Sequence, residues 1–183
     1  YKYLYSDALI EDKKRFDNNI KQMIAVSDNP AFYELLKDIE HKKPDALTRV
    51  LSDLNLVNTR IHSREAFQKY GYHSVTTPYE MAVVFETIYN EEYLGKEFSA
   101  ILKDELSKTI FQQEIPRYMK NVKVLHKVGE LPGVQCDVGI IDDGHDLILI
   151  SAYTITKRPP PYASNFIADI SDKAYNSLRT PAK

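Results

Sequence analysis

Two short segments of this chain set residue types side by side that chemistry can use. Ser27-Asp28-Asn29 groups a hydroxyl, a carboxylate and an amide, and 100 residues later Lys127-Val128-Gly129 puts a cation beside a residue with no side chain. A hydroxyl can pass a proton, and a lysine can attract an anion. Each segment also has a plain structural reading. Ser, Asp and Asn are the residues that cap helix N-termini, and a lysine on a strand often faces solvent. Between them lies Glu65, the only carboxylate of its loop that offers a base, together with His62 and His73, whose spacing matches no metal site. Cys136 is the single cysteine, so the chain can form no internal disulfide and spells out no zinc cluster. On a strand beside Asp137 it reads as a packed thiol.

The elements that must position these residues follow from hydrophobic periodicity. Residues 1–18 are polar and aromatic without clear periodicity, and Ile20, Met23 and Ile24 then repeat at helical spacing. That pattern stops at Ser27-Asp28-Asn29-Pro30, where Asp28 or Asn29 suits an N-cap and Pro30 the first helical position. A helix follows with Phe32, Leu35, Leu36 and Ile39 on one face. Another starts near Asp45, with Leu47, Val50, Leu51 and Leu54 inward. Residues 55–76 read as a long irregular loop, a feature more often functional than idle in a compact domain. Thr77-Pro78-Tyr79-Glu80 then has the capping-box pattern, opening a helix with Met81, Ala82, Phe85 and Ile88. A further helix is expected over roughly 96–108.

The period then changes to two. Val122 to Lys127, Val134 to Ile141 and Leu147 to Tyr153 read as strands, with Asp142-Asp143-Gly144 as a hairpin turn. The third strand is apolar on both faces, which predicts burial. Pro159-Pro160-Pro161 separates it from a terminal helix lined by Ala163, Phe166, Ile167, Ile170, Ala174 and Leu178. Helices, three antiparallel strands and a final helix make an α+β layout in one domain over residues 1–183.

Composition narrows the partners. A hydrophobic fraction of 43%, a charged fraction of 27% and a net charge of −2 with interspersed signs fit a globular protein and give no electrostatic footprint for nucleic acid or anionic membrane. The runs Glu11-Asp12-Lys13-Lys14-Arg15 and His41-Lys42-Lys43 read as solvated helix ends or loops. No apolar run reaches the length of a membrane span. The chain opens at Tyr1 with no signal peptide and no initiator methionine, which suggests a processed or truncated product.

Taken in order, three segments resemble one family. Ser27-Asp28-Asn29 resembles the Ser-Asp-Asn motif of class A β-lactamases and penicillin-binding proteins, and Val124-Leu125-His126-Lys127-Val128-Gly129 resembles their Lys-Thr-Gly strand. Val75-Thr76-Thr77-Pro78, followed by Met81-Ala82, resembles the helix start after the family's omega loop. The resemblance runs from about Tyr3 to the terminal helix and implies an incomplete β-lactamase/transpeptidase-like fold, with three of the family's five strands. By resemblance, Ser27 passes a proton to the leaving nitrogen, Asn29 hydrogen-bonds the substrate's acylamide, and Asp28 holds the turn. Lys127 favours the substrate carboxylate and eases deprotonation of Ser27. Gly129 keeps the strand edge open, and the Glu130 backbone N–H is one arm of an oxyanion hole. Tyr3 and Tyr5 either wall the cleft, as an aromatic residue does in the family, or pack on the surface.

Three departures stand out. The family nucleophile is the serine of a Ser-x-x-Lys motif, and none occurs here; Ser171-Asp172-Lys173 has the wrong spacing. The family's N-terminal helix, two strands and nucleophile helix therefore have no counterpart in this chain. Left uncovered, Leu147 to Tyr153 would expose an apolar edge, an aggregation liability, which calls for a missing N-terminal segment or a second chain. Val128 stands where the family has a hydroxyl that meets the substrate carboxylate. Glu65 is only a weak counterpart of the loop glutamate that activates the deacylating water.

The resemblance thus implies an extracytoplasmic serine hydrolase acting on β-lactams or D-alanyl stem peptides through an acyl-enzyme, with no cofactor and no metal. Slow turnover of the penicillin-binding type fits better than a robust β-lactamase. The alternative is a non-catalytic, degenerate domain that binds cell-wall peptide or a protein partner.

Overall fold

The computed structural model describes residues 4–5 and 8–180. Six α-helices come first: α1 (Ile10–Ala25), α2 (Asn29–Lys42), α3 (Ala46–Asp53), α4 (Arg64–Tyr70), α5 (Pro78–Tyr89) and α6 (Gly95–Leu106). A 3-10 turn at Ile115–Tyr118 leads into β1 (Lys123–Leu131), β2 (Val134–Asp142) and β3 (Leu147–Ile155), and α7 (Pro160–Leu178) follows. The strands form one antiparallel sheet in the order β1-β2-β3. Lys127 pairs with Val138, Val128 with Asp137 and Gly129 with Cys136.

The sheet separates two apolar layers. On one face Leu125, Val138 and Ile140 pack with Phe16, Ile20, Ile24, Leu35, Phe85 and Leu106 from the helices. On the other, Ile141, Ile148 and Ala152 pack with Ile115, Ile167 and Tyr175. Alternation along the strands assigns every side chain to one layer or the other. Lys127, Gly129 and Cys136 therefore share the helical face with Leu125 and Val138. His126, Val128 and Asp137 share the α7 face with Ile141.

The α+β layout matches the sequence reading, with four differences. First, α1 begins at Ile10, inside the stretch that shows no clear periodicity. Phe16, Ile20 and Ile24 are buried at four-residue spacing, while Glu11 and Asp12 lie in the first turn, where carboxylates favour a helix N-terminus. Second, the loop over 55–76 contains α4. Ser63 caps it by accepting from the Ala66 N–H at 3.2 Å, and Gly71 ends it with φ 77°. Third, α7 starts at Pro160 rather than after the proline run, because a first helical turn needs no N–H donors. Fourth, β3 is not buried on both faces. Leu147, Leu149 and Ile155 are 53%, 37% and 89% exposed. They point to the helical face, where α5 covers only part of an edge strand, while Ile148 and Ala152 on the opposite face lie buried among the residues that pack on α7.

Candidate functional site

The turn between α1 and α2 faces the edge strand β1. Lys127 Nζ donates to Ser27 Oγ at 2.6 Å and to the Val128 carbonyl at 2.7 Å. Ser27 is held in the left-handed region at φ 59°, uncommon for a residue with a side chain and a form of strain found at functional sites. The turn is fixed from both sides. The Val26 and Asp28 N–H groups donate to the Gln22 carbonyl at 3.2 and 3.1 Å. The Asp28 side chain accepts from the Ala31 N–H at 2.6 Å and caps α2. Asn29 opens that helix and is exposed beside Ser27.

Lys127 is half-buried. Burial pushes its pKa below the ordinary lysine value, against the pull of Cys136 and Asp137. The Phe111 ring lies 5.7 Å from its nitrogen. Cys136, opposite Gly129, donates to the Gly129 carbonyl at 3.4 Å. Burial first, and then the charge of Asp137, push its thiol up to about 11, which keeps it protonated and unreactive. A Cβ on Gly129 would lie 2.7 Å from Cys136 Sγ, so a side chain there would have to displace the thiol.

The other sequence-derived site residues divide. Gly129 and the Glu130 backbone lie on β1 next to Lys127. Val128 does not join them: its side chain points to the α7 face and is 6% exposed. Glu65 is also apart. It lines a small depression of about 120 Å³ with Asn58, Arg60 and Lys69. Tyr5 donates to Asp17 at 3.1 Å and packs edge-on to Phe98 at 5.3 Å, and Tyr3 lies outside the described residues. Among the described residues no group of three or more His, Cys, Asp and Glu could hold a metal.

The loop itself is pinned at its base. Arg60 and Val75 form a two-residue antiparallel bridge. Glu80, 3% exposed, accepts from the Asn58 N–H at 2.7 Å, from Asn58 Nδ2 at 3.0 Å and from Thr59 Oγ1 at 2.5 Å. Burial acts to raise the Glu80 pKa, but these donors outweigh it and hold the carboxyl below its usual value. Within the loop, His62 and His73 stack at 5.7 Å and His73 on Phe67 at 4.4 Å.

Beside the turn, the helical layer holds an apolar trough. One cavity of about 290 Å³ is lined by Phe16, Met23, Phe32, Leu36 and Ile61 among others. A second of about 230 Å³ shares Leu4, Ile39, Leu47 and Leu94 with it. Ile61, not Glu65, is the loop residue that faces this space.

Phe111, Ile61, Glu80 and the Asp137 charge behind Lys127 were not legible as parts of this region. Glu80 carried a signal, as the glutamate of a capping box, but that pattern predicts a bond to its own helix rather than to a loop 22 residues away. The others depend on tertiary approach alone.

The model of a family described as "Beta-lactamase enzyme family" matches residues 11–178. By fold the chain is similar to a beta-lactamase from Sphaerobacter thermophilus, with 21% identity, a TM-score of 0.76, and coverage of 90% of this chain and 64% of that one. It is similar to PBP-A at 22% identity and a TM-score of 0.73, covering 88% of this chain and 60% of the other. A variant of the last common ancestor of Gram-negative class A beta-lactamases gives 19% identity and a TM-score of 0.78, with 99% and 73% covered. These identities speak to fold alone. The chain spans 64% and 60% of the first two proteins' length. No curated protein matches it.

Proposed function

The chain belongs to the beta-lactamase enzyme family, and on that premise we propose that it forms the proton-relay and anion-gripping side of a serine acyl-transfer site that reacts with β-lactams or peptidoglycan stem peptides. The observation that carries this reading is the 2.6 Å contact between Lys127 Nζ and Ser27 Oγ. It sets a cation against a hydroxyl at the junction of helices and sheet, where a ligand carboxylate and a leaving nitrogen can be served together.

Ser27 hands its proton to the leaving nitrogen, Asn29 binds the acylamide, and Lys127 attracts the carboxylate. In this reading the Val128 carbonyl, which accepts from Lys127, points off the free edge of β1. The two-residue repeat of a strand turns the Glu130 N–H the same way, as an oxyanion donor. Gly129 leaves that edge unobstructed.

The nucleophile comes from outside these 183 residues. The apolar trough beside Ser27 has the lining to receive an apolar helix, and the exposed Leu147, Leu149 and Ile155 have the character of a sheet edge awaiting further strands. The missing N-terminal helix, two strands and nucleophile helix of the family would fill both, on the same chain or on a second one. The whole protein would then work in an extracytoplasmic compartment, where its substrates are found. No helix among the described residues is long and apolar enough to cross a membrane.

Turnover is slow in this reading, because Ile61 rather than Glu65 faces the trough and no loop carboxylate is poised for deacylation. A variant of the similar PBP-A has been captured as an acyl-enzyme with penicillin G. The second reading, a non-catalytic domain that binds cell-wall peptide or a protein, draws on the inward turn of Val128. Intact-mass spectrometry of the native gene product after incubation with a penicillin separates the two. A stoichiometric, long-lived adduct on a serine upstream of Ser27 is expected. A folded protein without an adduct at high penicillin concentration overturns acylation in favour of the binding domain.

A further inference from the structure

The chemistry proposed for Lys127 needs an ammonium that stays charged in a half-buried place. Its contacts in the cleft are the Ser27 hydroxyl, the Val128 carbonyl and the Phe111 ring, and the Cys136 thiol, raised by burial to about 11, shares its face of the sheet. Among the described residues no carboxylate lies within ion-pair distance of it. A carboxylate in the cleft would occupy its donors and repel a ligand carboxylate.

A carboxylate does lie behind the strand. Asp137, on β2 opposite Val128, is 0% exposed, and His126, next to Lys127 on β1, is 1% exposed. His126 Nδ1 is 3.0 Å from both Asp137 oxygens, and the Ile115 N–H donates to Oδ2 at 3.0 Å. His126 Nε2 is buried with no hydrogen-bond partner. Nδ1 is thus the ring nitrogen that meets the carboxylate. Room for the imidazole comes from Gly139, where a Cβ would lie 2.6 Å from His126 Cβ.

We propose that His126 and Asp137 are positioning residues for Lys127, forming a counter-charge on the opposite face of the sheet that keeps the cleft ammonium protonated while leaving its donors free for Ser27 and an anionic ligand. This rests on the anion-gripping role proposed for Lys127. Cys136 first, and then the charge of Asp137, act to raise the Lys127 pKa against the effect of burial, and the sheet between Lys127 and Asp137 prevents a direct ion pair from forming. Low dielectric on the α7 side keeps the attraction from being screened.

The test reads the titration of Lys127 directly, by NMR of the isotopically methylated lysine side chains with Lys127→Arg as the assignment control. Asp137→Asn keeps the shape and removes the charge. The Lys127 midpoint is expected to fall in this variant. Glu114→Gln removes another buried carboxylate, one that precedes the 3-10 turn and is bonded to Gln135 of β2 and Ser164 of α7, and is expected to move the midpoint less. An Asp137→Asn midpoint equal to that of the unsubstituted protein overturns the proposal, as does an equal shift in both variants. If Asp137→Asn does not fold, the unsubstituted protein serves. Its Lys127 midpoint is expected to hold as salt is raised to about 1 M, where exposed charges are screened beyond about 3 Å, and a salt-dependent drift overturns the proposal. No readout involves acylation, so a failed penicillin adduct and a failed counter-charge remain separate results.

Discussion

Ser27 Oγ and Lys127 Nζ meet at 2.6 Å although 100 residues separate them. One comes from a strained turn between two helices and the other from the edge of the sheet. The contact ties the turn between α1 and α2 to the edge of the sheet, at the site proposed for the ligand.

Lys127→Met removes the charge and keeps the stem. Losing one charge-assisted hydrogen bond to a ligand carboxylate weakens binding by about 1.5–3 kcal/mol, or roughly ten- to a hundredfold. Penicillin acylation rates in the whole protein are expected to fall by that much. Because burial depresses the Lys127 pKa below 10.5, the unsubstituted protein is expected to lose anion binding, as pH rises, earlier than an ordinary lysine would allow. A pH profile of acylation that stays flat up to the ordinary lysine range contradicts this.

Val128→Thr restores a hydroxyl type without restoring its place, since that side chain points to the α7 face. A hydroxyl that reached a ligand carboxylate would be worth about 1.5–3 kcal/mol. No such gain in acylation efficiency is expected, and a tenfold or larger gain would show that the strand turns over in the whole protein.

Glu65→Gln is expected to leave the lifetime of any acyl adduct unchanged, because Glu65 shares its depression with Arg60 and Lys69 and not with the turn at Ser27. A longer lifetime in the variant, followed by mass spectrometry over time, would reinstate it as the base.

Glu80→Ala strips three donors of their acceptor and is expected to destabilise the fold by about 3 kcal/mol in denaturant melts. The pH dependence has a defined sign. The folded carboxyl sits below the unfolded value of 4.5. Its contribution is therefore fully present above that value and is lost as pH falls through the folded one. The acid limb of a stability profile is expected to flatten in Glu80→Gln.

Gly129→Ala brings a methyl against Cys136 Sγ at 2.7 Å and is expected to cost about 1–3 kcal/mol. Cys136→Ala in the same background removes the clashing atom. A double-mutant cycle is expected to give a favourable coupling, and simple additivity would mean that the strand backbone, not the thiol, resists the methyl.

What the sequence made legible follows local rules. The capping residues Asp28 and Thr77 and the period-two runs of β1 and β2 need only neighbours to act, and they stand where local chemistry sets them. α1 was hidden before Ile20 because its buried positions Phe16 and Asn19 are separated by charged and polar residues on the outer face. α4 was hidden because seven residues give barely two turns of pattern. At the site, the turn and the strand could be found, but the direction of Val128 depends on which face of β1 meets α7, and that is decided by tertiary packing.

The Arg60–Val75 bridge has a consequence for how this region can vary. With the ends of the loop tied to each other and the first of them also to Glu80, the residues between them are a cassette held on a fixed hinge pin. Lengthening or rewriting such a cassette changes closure entropy only slowly, about 0.6 kcal/mol for each doubling. Descendants of this chain could therefore exchange Ile61 and its neighbours for other chemistries by small steps, with the scaffold around Ser27 and Lys127 left intact.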